Sequence, residues 1–107
     1  MSDLYTYFPN VEDLSPVIPP DSTVSRTILN QPGLHIILFG FAPGQELSEH
    51  TSARTAILHF LRGNARLTLG EENTSAGPGT VVHMTPRLPH SVYAETETLM
   101  MLTMIGE

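Results

Sequence analysis

Glycine and proline cut this chain into pieces of strand length. The 107 residues include eight Gly and nine Pro, and the apolar runs between them are short and rich in β-branched and aromatic side chains. Turns are expected at Pro32-Gly33, Pro43-Gly44, Gly63-Asn64 and Pro78-Gly79, and around Pro86 and Pro89. Between them the sequence predicts strands over 24–29, 34–41, 55–69 (two strands joined at Gly63-Asn64), 80–84, 91–94 and 98–105, with 70–79 as a loop. Residues 34–41 (Leu-His-Ile-Ile-Leu-Phe-Gly-Phe) are apolar at odd and even positions alike, so that strand is expected to be covered on both faces. No stretch reads better as helix. Short strands at this spacing indicate an all-β sandwich or barrel.

The length suits one domain with a single core. Residues 1–21, with four prolines among aromatics and acids, predict an extended N-terminal arm. Its apolar residues Leu4, Tyr5, Tyr7, Phe8, Val17 and Ile18 call for a surface to pack on, and residues 22–107 form the β domain. The chain has no Cys, which excludes disulfides, thiolate metal sites and a cysteine nucleophile. All five basic residues are Arg (Arg26, Arg54, Arg62, Arg66, Arg87), so no lysine is present to form a Schiff base. A net charge of −6 repels nucleic acid and anionic membrane surfaces. The first residues lack the basic and apolar segments of a signal peptide, and no apolar run is long enough to span a bilayer. The expectation is a soluble, cytoplasmic protein. Asn73-Thr74-Ser75 is read as turn chemistry rather than a glycosylation site.

Two stretches stand out for chemistry. Gly44-Gln45-Glu46-Leu47-Ser48-Glu49-His50-Thr51-Ser52 and Pro86-Arg87-Leu88-Pro89-His90 each place a histidine just beyond a Gly/Pro turn, the arrangement expected of two side chains sharing a pocket. Other catalytic constellations are missing. There is no Gly-x-Ser-x-Gly elbow and no phosphate-cradle lysine, and Glu46 and Glu49 do not make a paired-carboxylate site with a neighbour. Arg54 and Arg62 could meet an anionic ligand, with a solvated strand edge as the plainer reading of both.

Taken together, these motifs resemble a small single-domain cupin. The first cupin motif runs Gly, five residues, His-x-His, three or four residues, Glu, six residues, Gly; here Gly44, His50 and Gly63 match it. The second motif is followed by Gly77-Pro78-Gly79-Thr80-Val81-Val82-His83-Met84-Thr85-Pro86-Arg87-Leu88-Pro89-His90, with Thr80 where Asp is common. The likeness covers about residues 34–105. It implies a jelly-roll barrel (double-stranded β-helix) of six to eight strands, often a homodimer, that takes a small-molecule ligand. It also implies a divalent metal (Fe, Mn, Ni or Zn) and oxygenase- or isomerase-type chemistry where one is bound.

The resemblance carries the metal role to His50 and His90 alone. Ser52 stands where the second His belongs and Ala56 where the Glu belongs. Since iron, manganese and catalytic zinc sites take about three protein ligands, a third donor would have to come from elsewhere. His83, across a proline-rich turn from His90, and His35, on the inner face of its strand if Phe41 points inward, are the candidates, with Ser52 as a further pocket residue. For His35 and His83, and for His59, which lies at odd spacing from Ala56, a structural role is the favoured reading. The alternative function is a metal-free small-molecule binding module, sensory or regulatory, anchored by His50, Ser52 and His90. A third reading is metal-free acid/base chemistry with His50 or His90 as base, to which Tyr93, at odd spacing from His90, is a poorly placed acid.

Overall fold

The structure, a computed structural model, describes residues 4–106; the first three residues of the expected arm and the last residue of the β domain lie outside them. Nine strands are present among the described residues: β1 (Thr23–Gln31), β2 (Leu34–Phe41), β3 (Glu46–His50), β4 (Thr55–Arg62), β5 (Ala65–Leu69), β6 (Glu72–Ala76), β7 (Val81–Met84), β8 (His90–Ala94) and β9 (Thr98–Ile105). They form two antiparallel sheets, a five-stranded one in the order β1-β2-β9-β4-β7 and a four-stranded one in the order β3-β8-β5-β6. This is the jelly roll expected from the sequence, one strand richer than the upper end of the implied range. No described helix is long and apolar enough to cross a membrane.

Alternation places the core. In β4, Ala56, Leu58 and Phe60 are buried while their neighbours are half-exposed. The register joins them across the sheet: Phe60 lies opposite Met100, Leu58 opposite Leu102, and Ala56 opposite both Met104 and Met84. From the second sheet come Ala65 and Leu67 of β5, Ala76 of β6 and Val92 and Ala94 of β8. Phe41 and Phe39, stacked at 6.2 Å, close one side of this filling. The interior is therefore packed with side chains, and β3 stops where β4 and β8 begin, at one end of it.

Residues 70–79 are not a simple loop, contrary to expectation. Gly70, with φ +64°, and Glu71 make a tight turn, after which Glu72–Ala76 pairs with β5 along its whole length. Its sequence, Glu-Asn-Thr-Ser-Ala, has little strand propensity, and only Ala76 is buried. Pairing with β5 imposes the strand, so no local signal revealed it. Among the described residues there is also one short 3-10 turn, Val11–Leu14, capped by the Asn10 side chain accepting from the Glu12 amide.

The arm packs in part. A Cβ added at Gly40 would sit 2.6 Å from Ile18, so the missing side chain of Gly40 is the seat of Ile18. Leu38, on the same face of β2, is fully buried. Thus β2 is covered on both faces, as its sequence suggests. The Arg26 guanidinium donates to the Leu14 carbonyl, and Arg62 pairs with Glu12 at 3.7 Å. Other arm residues stay in solvent: Leu4 is 93% exposed and Val17 88%.

Candidate functional site

β3 and β8 bring the two motif histidines together through a β-bulge. Glu46 and Leu47 lie opposite Tyr93 and Val92 in regular register, which continued would set Glu49 against His90. The ladder instead shifts by one residue between Leu47 and His50, and His50 faces His90. The extra residue also restores the face: Leu47 packs on the core, and three residues later His50 is again on the side of the buried His90. The ring centroids are 4.1 Å apart and the planes inclined at 59°.

Each ring is oriented by its own backbone. His50 Nδ1 lies 2.8 Å from the Ser48 carbonyl, and His90 Nδ1 lies 2.9 Å from the Leu88 carbonyl. A carbonyl oxygen can only accept, so each Nδ1 is the donor, and in the neutral ring each Nε2 carries a free lone pair. Fixing Nδ1 this way is how proteins present Nε2 to a metal or to a ligand proton. His90 is 5% exposed, whereas His50 is largely open to solvent, so the pair spans from the wall of the barrel to its rim.

The other candidates fall in different places. Ser52 is half-buried; its hydroxyl accepts from the Arg54 amide at 3.1 Å, and its carbonyl accepts from the Arg87 amide at 2.6 Å. These bonds tie the segment after β3 to the turn before β8. His35 lies on the inner face, in one row with Met104, Ala56 and Met84. Its Nδ1 is 3.0 Å from Arg54 Nη1. A guanidinium only donates, so Nδ1 accepts and the neutral ring holds its proton on Nε2. His83 is exposed, lies opposite Ile57 and, next in the strand to the buried Met84, belongs to the outer face. His59 lies opposite Met101 and Val81 on that same face. Tyr93 is 42% exposed and lies opposite Glu46 and Arg66 on the outside of the smaller sheet.

The donor set is thus two imidazoles. Among the described residues no group of three or more His, Cys, Asp or Glu could hold a metal ion, and Ala56, 3% exposed between Met84 and Met104, puts a methyl group where the cupin motif has a carboxylate. The pair supplies two of the about three protein donors that a catalytic metal site takes. Two features escaped the sequence reading: the bulge, since Ser48-Glu49 has no Gly or Pro to mark it, and the contact of Arg54 with His35. The position of Arg54, two residues before the inward Ala56, was the available signal for the second.

Comparison with known proteins gives a consistent result. A family model described as "Cupin domain" matches residues 37–106. Among solved structures, a conserved Streptococcus pyogenes protein of unknown function is 30% identical, with 85% of this chain and 80% of that one covered at a TM-score of 0.78. A cupin superfamily protein from Desulfitobacterium hafniense superposes at TM-score 0.86 with 19% identity, covering 99% and 97% of the two chains. A mutant form of the salicylate 1,2-dioxygenase from Pseudoaminobacter salicylatoxidans matches at TM-score 0.75 with 16% identity over 89% of this chain and 30% of that one. Among curated proteins there is no match.

Proposed function

The chain belongs to the cupin family, and on that premise we propose that it binds a small organic ligand at the barrel mouth, with the His50–His90 pair as its polar centre. The observation that carries this reading is the pair of Nδ1-to-carbonyl hydrogen bonds at 2.8 and 2.9 Å, which leaves the Nε2 lone pairs of an exposed and a buried imidazole unused side by side. Oriented imidazoles beside a filled apolar interior are what a ligand pocket needs: apolar walls with a few directed polar groups.

His50 and His90 are also the residues that would hold a divalent metal, iron, manganese, nickel or zinc, through those same atoms. A metal so bound would supply Lewis-acid or oxygen-activating chemistry, the oxygenase- or isomerase-type reactions of metal-bearing cupins. With two protein donors, binding would be weak until a ligand completes the coordination. His50 and His90 would then fix the centre, while the backbone carbonyls of Ser48 and Leu88 hold their rings in place. The donor count equally favours a second reading, a metal-free binding module in which the two Nε2 atoms accept hydrogen bonds from the ligand directly.

Metal titration of the chelator-treated protein separates the two. The expected result is one equivalent of zinc or nickel bound at saturating metal, lost in both His50→Ala and His90→Ala. If no metal of the four binds after reconstitution, the metal-free module is the function.

The proposal extends to a homodimer. Leu4, Tyr5, Tyr7 and Val17 are each at least 74% exposed, and an arm this apolar is expected to cover itself against a second copy. Light scattering at micromolar protein should give twice the chain mass of 11.7 kDa; a monomer at that concentration would rule the dimer out.

A further inference from the structure

Three of the five arginines have evident structural partners. Arg62 pairs with Glu97 at 3.3 Å and Glu12 at 3.7 Å, Arg66 pairs with Glu95 at 3.6 Å, and Arg26 donates to the Leu14 carbonyl. Arg87 extends into solvent from the turn before β8. Arg54 differs from all of these. It is half-buried, it precedes the inward Ala56 by two residues, and it has no carboxylate partner among the described residues. Its one side-chain bond is from Nη1 to His35 Nδ1.

We propose that Arg54 is the carboxylate receptor of the barrel mouth, and that the ligand bound beside His50 and His90 is a small organic monocarboxylate. The proposal rests on the reading of that mouth as a small-molecule site and names the class of ligand it takes. A guanidinium has five N–H donors in a planar fork, and the fork matches a carboxylate in bidentate fashion. One donor is committed to His35, which fixes the plane of the group. The others touch solvent, because no buried side-chain nitrogen or oxygen among the described residues lacks a partner. With no carboxylate of its own beside it among the described residues, the solvated part of the fork is open to an incoming anion.

Placement agrees. His35 lies in the inner row with Met104, Ala56 and Met84, so the guanidinium it contacts lies at the inner face of the larger sheet. Arg54 follows His50 by four residues, a separation of at most about 14 Å between Cα atoms even for extended chain, and the Ser52 hydroxyl holds the Arg54 amide midway. A ligand whose carboxylate meets Arg54 therefore lies within reach of the exposed His50 ring at the mouth. A single guanidinium balances one negative charge, which favours a carboxylate over a phosphate dianion. His35 is the positioning residue: only its neutral form accepts from Arg54.

The test uses chelator-treated, metal-free protein, so that its result does not depend on whether His50 and His90 bind metal. Benzoate and hexanoate, their neutral amides benzamide and hexanamide, and inorganic phosphate are titrated and followed by amide chemical shifts. Each acid should saturate, move the signals of residues 35 and 52–56, and bind about tenfold more tightly than its amide. Arg54→Met should bring acid and amide to the same affinity, with Arg54→Lys between, and His35→Phe should weaken the acids while sparing the amides. Should Arg54→Met fail to fold by circular dichroism, Arg54→Gln takes its place. Equal binding of acid and amide, unchanged acid affinity in Arg54→Met, tighter binding of phosphate than of either acid, or no saturation by either acid would overturn the assignment. Binding of the amides as tightly as the acids would reject Arg54 as receptor yet leave the small-molecule site standing, whereas no binding of acid or amide would count against both.

Discussion

Phe60→Ala is expected to lower the unfolding free energy by about 3–5 kcal/mol, in a domain whose total is of order 5–15 kcal/mol. Phe60 is fully buried in the middle of β4, opposite Met100, with core neighbours supplied by both sheets. Truncation removes the ring from the plane where the sheets meet. Strands pinned by two-sided pairing cannot close the gap, so the cavity cost adds to the lost transfer free energy. Met100, directly opposite in the register, can swing partly into the space, which places the expected loss toward the lower end. The chain contains no Trp, so urea unfolding is best followed by far-UV circular dichroism. A loss below about 1 kcal/mol would mean that Phe60 is not a bridge between the sheets.

Gly63→Ala should be comparably damaging for a different reason. Gly63 has φ +87°, and a Cβ there would collide with the Glu97 carbonyl oxygen and lie 2.7 Å from the Thr98 Cα, both of them backbone atoms. The left-handed conformation alone costs an L-residue about 1–2 kcal/mol, and the collision forces apart the β4–β5 and β8–β9 connections. Those connections share a knot of hydrogen bonds: the Asn64 carbonyl accepts from the Glu95 and Thr96 amides at 2.9 and 3.2 Å, and Thr96 Oγ1 accepts from the Asn64 amide at 2.9 Å. Gly44→Ala is the control. Its φ of +84° is similar, but nothing lies within 4 Å of the added Cβ. The difference between the two variants in urea midpoint isolates the steric part, and equal losses would show that the collision relaxes freely.

Much of the fold was legible because its signals are local. Turn residues at Pro32-Gly33, Pro43-Gly44, Gly63-Asn64 and Pro78-Gly79 fall between strands as expected. β6 was hidden because its residues become a strand only through pairing with β5. At the mouth, sequence spacing indicated His50 and His90, and the structure brings those two rings together. Parity could place His35 on the inner face but could not foresee that Arg54 would occupy its Nδ1. Nor could it decide His83, since a proline-rich turn breaks the count; the β4–β7 register does, by setting His83 opposite Ile57.

The bulge in β3 makes strand register a chemical variable. Were the ladder to run on regularly from Leu47, Glu49 instead of His50 would face His90. The facing pair would then be a carboxylate and an imidazole instead of two imidazoles, an acceptor-only group set against a ring that can donate and accept. That single extra residue thus decides whether this end of the barrel presents two facing imidazoles or a carboxylate facing an imidazole, with the same amino acids at hand in either case.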